Sequence, residues 1–135
     1  MNKVVAIETA RPRWTCEVCA NPLRGDDGLV AVSYDEIDGR RAETESWRSA
    51  HRIGSDDDPV TIGTDFDDYP AQVRWHVIHD RCGGESRVSR PYGIDSGRLR
   101  TWRNVTAWTA HLTEKRWFAE TDWPQLLRTA GCGFP

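Results

Sequence analysis

The 135-residue chain contains no apolar run that approaches the roughly 20 residues a membrane-spanning helix requires. The stretch Val4-Val5-Ala6-Ile7 is also too short for the apolar core of a secretion signal. No internal repeat or low-complexity linker divides the chain, so a single domain over residues 1–135 is expected. Serine in a G-x-S-x-G context is absent, which removes the usual signature of a hydrolase nucleophile. The aspartates do not follow the spacing of an EF-hand, so calcium is not indicated. Lysine is nearly missing: sixteen of the eighteen basic residues are arginine, the exceptions being Lys3 and Lys115. This bias fits either a GC-rich genome or selection for guanidinium chemistry. Cysteine is sparse, at four residues. Without an export signal the expected location is cytoplasmic, where cysteines in pairs are more often metal ligands than disulfides.

The chain does have seven tryptophans and a lopsided charge. The large aromatics supply apolar area in few positions, which argues against global disorder. The net charge of −3 conceals thirteen acidic and four basic residues from Asp26 to Asp68. From Tyr69 to Pro135 there are six acidic and ten basic residues. The loop from Gly54 to Pro70, with Asp56-Asp57-Asp58 and Asp67-Asp68, is expected to be solvated.

Residues 1–13 read as extended, with Pro12 closing the segment. Gly28 to Ile37 alternates as a strand, Leu29 and Ala31 on one face and Val30, Val32 and Tyr34 on the other. Asp38-Gly39 suggests a hairpin turn, followed by a return strand or short helix from Ala42 to Ile53. Gln72 to His79 has the clearest period-2 pattern, placing Val73, Trp75, Val77 and His79 on one face. An irregular basic stretch is expected from Gly83 to Gly97. A helix capped by Asp95 or Ser96 then runs to about Glu114, with Trp102, Val105, Trp108, Thr109 and Leu112 as its apolar stripe. A second short helix begins at Thr121 or Asp122, where Asp122 and Gln125 have capping-box spacing, carries Leu126 and Leu127, and ends at Gly131. The fold class is α+β: zinc-bound antiparallel hairpins over residues 14–83, then a helical segment over 95–131.

Cys16-x2-Cys19 and His79-x2-Cys82 carry most of the chemical information. Three thiolates and one imidazole form the tetrahedral donor set that structural Zn2+ prefers, so Cys16, Cys19, His79 and Cys82 are the candidate ligands. His79 shares the apolar strand face on which a buried metal would sit, whereas His76 shares a face with Arg74. Buried thiols with a core histidine, or a redox C-x2-C, remain as alternatives. Redox chemistry requires the motif at the start of a helix, and Asn21-Pro22 breaks such a helix. Cys132, between two glycines, reads as a free thiol.

These residues resemble treble-clef zinc fingers. The pattern C-x2-C, hairpin, Trp75, then His79-x2-Cys82 is similar to the first finger of LIM domains and to poly(ADP-ribose) polymerase fingers. The resemblance covers residues 14–83 and implies a metal and a fold. In such fingers a helix follows the last ligand, and Gly83-Gly84 delays it here. A fainter likeness, to HNH nucleases, rests on His76, His79 and the two glycines, with Asn104 and His111 in the missing roles. Four protein ligands leave zinc no open position for catalysis.

Two kinds of partner follow. Arg100, Arg103, Asn104 and His111 share a helix face that would suit phosphates, making nucleic acid one candidate. Trp108, Trp117 or Trp123 could anchor a protein, the partner placed first. Neither a membrane nor a small-molecule substrate is expected. The sum is a zinc-stabilised, non-catalytic binding module, a small regulatory or accessory protein whose size and composition fit a phage or mobile element.

Overall fold

The computed structural model describes residues 11–51 and 68–131. Within them, helices surround a small antiparallel sheet, an α+β arrangement. The strands are β1 (Gly28–Ser33), β2 (His76–His79) and β3 (Pro91–Asp95), and the helices are α1 (Tyr34–His51), α2 (Trp102–Leu112) and α3 (Trp123–Thr129). The sheet order is β2-β1-β3. Gly28 pairs with His79 and Ala31 with His76 on one side of β1, while Leu29 pairs with Asp95 and Ser33 with Pro91 on the other.

All six residues of β1 are buried, as befits a central strand covered on both faces. Alternation sends Val30 and Val32 into the larger apolar cluster, with Trp14, Ile37, Trp75, Ile94, Val105, Leu112 and Trp123. Leu29 and Ala31 point into a smaller cluster with Cys16, Ile78 and Val88. The two faces expected for this strand are the two faces found.

The strand ends sooner than its alternation suggests, and the hairpin turn expected at Asp38-Gly39 is absent. Ser33 starts a helix instead. Its hydroxyl accepts the Glu36 backbone N–H at 3.1 Å and donates to the Ser89 carbonyl at 2.6 Å, and Asp35 and Glu36 lie favourably in the first turn. Gly39 lies inside α1 with open space around it. The helix buries only Ile37, Thr44 and Trp47, a narrow stripe for eighteen residues. Trp47 donates its indole N–H to Asp68 at 2.7 Å, and Arg40 pairs with Glu120. The partner of β1 that sequence alternation suggested nearby is thus displaced to β2, far along the chain.

Two further expectations change. The basic stretch after Cys82 contains β3. The helix expected from Asp95 or Ser96 begins only at Trp102: residues Ser96–Arg98 form a 3-10 turn, and the Ser96 hydroxyl donates to the Gly25 carbonyl rather than capping. Thr101 is the cap, accepting the Asn104 N–H at 3.1 Å. The expected stripe holds, with Val105 and Leu112 buried and Trp102, Trp108 and Thr109 half-buried. Helix α3 starts beside Asp122, but that carboxylate does not cap it. It accepts the Trp75 backbone N–H at 2.9 Å, tying α3 to the segment entering β2. Burial raises the Asp122 pKa, against the opposing pull of that hydrogen bond and of Arg74.

No helix among the described residues is long and apolar enough to cross a membrane. Residues 1–10, most of the aspartate-rich loop and Cys132 fall outside the described residues.

Candidate metal centre

The first ligand pair sits on a tight hairpin. Thr15 bridges Pro22, Leu23 donates its N–H to the Trp14 carbonyl at 2.7 Å, and Cys16 donates to Asn21 at 2.9 Å. Ala20 turns the chain with φ +64°, a left-handed conformation that costs a non-glycine residue about 1–2 kcal/mol. The second pair ends β2: His79 closes the strand, and Asp80–Cys82 form a 3-10 turn. The Glu17 N–H donates to the Val77 carbonyl and the Asp80 N–H to that of Asp27, both at 2.9 Å, pinning the hairpin to β2.

This brings one donor atom from each of Cys16, Cys19, His79 and Cys82 within 4.8 Å of one another. Around a shared zinc at ~2.3 Å, tetrahedral sulfurs stand about 3.8 Å apart, so a small inward movement suffices. Cys16 and His79 are each 1% exposed. His79 Nδ1 lies 3.2 Å from the Cys19 sulfur, and Nε2 lies 3.2 Å from the Pro22 carbonyl, with an Asp27 carboxylate oxygen at 3.6 Å. The carbonyl can only accept, which places a proton on Nε2 and leaves Nδ1 facing the sulfurs, where it donates to a thiolate in the metal-free cluster and would offer its lone pair to a bound metal. Metal-binding histidines are commonly oriented in this way.

The Cys16 sulfur accepts the backbone N–H groups of Val18 and His79, both at 3.4 Å. Burial raises the pKa of this thiol, but the hydrogen bonds from the His79, Cys19 and Val18 backbone and the His79 ring outweigh it and bring it to about 6. Cys19 is also lowered, chiefly by the Asn21 N–H and with help from Arg81, against its desolvation. Desolvation and the neighbouring thiols raise Cys82. Burial lowers the His79 imidazole, yet Cys16 and Cys19 hold it above its ordinary value. Thiolates this close repel one another unless a cation stands between them. The four residues could therefore hold a metal ion, and zinc suits a three-sulfur, one-nitrogen set.

His76 takes no part in the cluster. Its Nδ1 lies 2.9 Å from Glu17, and its Nε2 lies 3.7 Å from Glu36. The helix that treble-clef fingers place after the last ligand is not formed. Gly83 and Gly84 adopt φ +111° and +51°, a left-handed break between two short 3-10 turns. A side chain at Gly83 would also meet Arg87 at 3.0 Å.

The remaining candidates lie elsewhere. Arg100, Arg103, Asn104 and His111 are all exposed. Arg100 approaches Asp26 at 3.7 Å, Asn104 accepts the Thr101 hydroxyl at 2.7 Å, and His111 meets the edge of Trp108 at 5.5 Å. Trp123 is 1% exposed and donates its indole N–H to the Thr109 hydroxyl at 2.9 Å, so it belongs to the core. Trp117 packs among Tyr34, Trp75 and Tyr92. Of the three tryptophans considered as anchors, Trp108 lines a surface depression with Ala107 and His111. A second feature went unforeseen: Arg11, Arg24 and Arg100 line one cavity beside the Cys16 hairpin. No protein-family model, curated protein or solved structure matches the chain.

Proposed function

We propose that the protein is a zinc-stabilised binding module in which the metal serves structure and performs no chemistry. The observation that carries this is the closed donor set: Cys16, Cys19, His79 and Cys82 converge, and the outward nitrogen of His79 already faces a carbonyl. Four protein ligands complete a tetrahedron and leave no site for water or substrate. The hairpin, β1–β2 ladder and paired ligands support a treble-clef-like centre in which α1 and the residues up to β2 are inserted between the two strands. Zinc content of the purified protein, with Cys16→Ser and Cys82→Ser as variants, tests the proposal. One zinc per chain in the parent and none in either variant is expected; a metal-free parent with unchanged folding overturns it.

The partner we favour is nucleic acid, because Arg11, Arg24 and Arg100 line one cavity. Binding to generic duplex DNA and single-stranded RNA over a salt series tests this, with an affinity that falls steeply with salt as the expected result. A protein partner is the second proposal. Its support is narrower: the depression at Ala107, Trp108 and His111 offers one half-buried indole on an otherwise polar helix face.

A further inference from the structure

The cavity beside the metal hairpin has a volume of about 320 Å3. That is space enough for a phosphate group with part of its hydration shell. Its lining includes Arg11, Arg24 and Arg100, three arginines from three separate segments. Trp14 and Ser96 form part of the wall, and both are held from behind. The Trp14 indole donates to the Leu99 carbonyl at 2.9 Å, and the Ser96 hydroxyl donates to the Gly25 carbonyl at 2.7 Å.

Like charges drawn to one concavity repel, so such a grouping normally comes with carboxylates in place. Here, among the described residues, neither the Arg11 nor the Arg24 side chain forms an ion pair with a carboxylate, although the Asp27 carboxylate accepts the Arg24 backbone N–H at 2.8 Å. Arg100 has only Asp26, at 3.7 Å and with both side chains at least half exposed. An exposed pair of that kind contributes little and is readily displaced. The Asp26 carboxylate lies against Gly97, and Asp26 is not among the residues lining the cavity. Guanidinium groups converging from several directions suit a tetrahedral oxyanion, to which each can donate two N–H groups.

We infer that the cavity lined by Arg11, Arg24 and Arg100 is a binding site for a phosphate group, carried by a nucleic-acid backbone or by a free nucleotide. This rests on the proposed binding module and adds the place where the ligand is held. The metal and the cavity share one support. Trp14 and Leu23, joined by their backbone hydrogen bond, flank the Cys16–Cys19 turn, and Pro22, whose carbonyl faces His79, lies two residues before Arg24. Loosening the metal centre therefore unravels one wall of the cavity.

The test is equilibrium binding of the full-length, metal-loaded protein to fluorescent single-stranded and duplex oligonucleotides. Inorganic phosphate, a nucleoside triphosphate and polyglutamate serve as competitors. Arg24→Ala and Arg11→Ala should each weaken binding about tenfold or more and lower the slope of log affinity against log salt by about 1. Asp26→Asn, which removes the carboxylate paired with Arg100, should strengthen it. Arg48→Ala, on the exposed surface of α1 and outside the cavity, should change it by less than about twofold. Zinc content and thermal midpoint are measured on every variant, so a failure of the metal proposal is seen separately from a failure of this one.

Competition by phosphate and triphosphate with tight oligonucleotide binding supports a backbone site. Triphosphate binding without oligonucleotide binding supports a nucleotide site. Equal competition by polyglutamate, affinities unchanged in Arg24→Ala and Arg11→Ala, or no saturable binding at low salt overturns the inference.

Discussion

The two faces of β1 are stabilised in different ways. On one, Val30 and Val32 meet a cluster built from Trp14, Trp75, Trp123, Ile94, Val105 and Leu112, with further aromatics packed around it. On the other, Leu29 and Ala31 meet only Cys16, Ile78 and Val88, with Cys19, Leu23 and Cys82 at the margin. The first face has enough apolar area to hold itself. The second has little and is flanked by three sulfurs and an imidazole, so a metal held by those four groups would supply the cohesion that burial does not. A small sheet can thus have one face stabilised by burial and the other by coordination.

Removing the metal should separate the two faces most sharply. Structural zinc contributes about 10–16 kcal/mol in small zinc-finger peptides, on the scale of a whole domain's stability. Cys16→Ser, Cys82→Ser or chelation should therefore produce the largest drop in thermal midpoint. Hydrogen exchange should show protection lost first at residues 14–23 and 76–84. If α2 and α3 lose protection simultaneously, the faces form one cooperative unit.

On the apolar face, Trp123→Ala should cost about 3–5 kcal/mol by leaving a cavity beneath Trp75. Denaturant unfolding measures this, and zinc content should stay at one per chain. Ser33→Ala removes the α1 cap and should cost about 1 kcal/mol, again without metal loss. The smallest effect belongs to His76→Ala. Its ring is paired with Glu17 beside the ligands, yet it lies outside the donor set, so zinc should remain bound with a stability change within about 1 kcal/mol. Loss of zinc from that variant would reassign the fourth ligand.

Much of this contrast is legible in the sequence. Period-2 alternation identifies both faces of β1 and the buried side of Val73, Trp75, Val77 and His79, because a strand covered by two clusters must alternate between them. The ligand pairs are legible because few chemistries use C-x2-C and H-x2-C together. Helix α1 is not legible from hydrophobic period alone, since Ile37, Thr44 and Trp47 make too thin a stripe and Asp38-Gly39 imitates a turn. Its usable signal is Ser33-Tyr34-Asp35-Glu36, a capping box at the end of a strand. The pairing of β1 with β3 escapes because Pro91–Asp95 buries only Ile94. The arginine cavity escapes for a different reason. Sequence proximity groups Arg100 with Arg103 on a helix, whereas the fold groups it with Arg11 and Arg24 from distant segments.

The wide separation of the two ligand pairs also sets a timetable. A ribosome adds about 5–20 residues per second, so Cys16 and Cys19 emerge roughly 3–12 s before His79 and Cys82. During that interval two thiols wait on a hairpin whose docking strand does not yet exist. Whatever metal or oxidant the nascent chain meets then encounters half a site. The protein's birth includes a vulnerable phase that its mature form conceals.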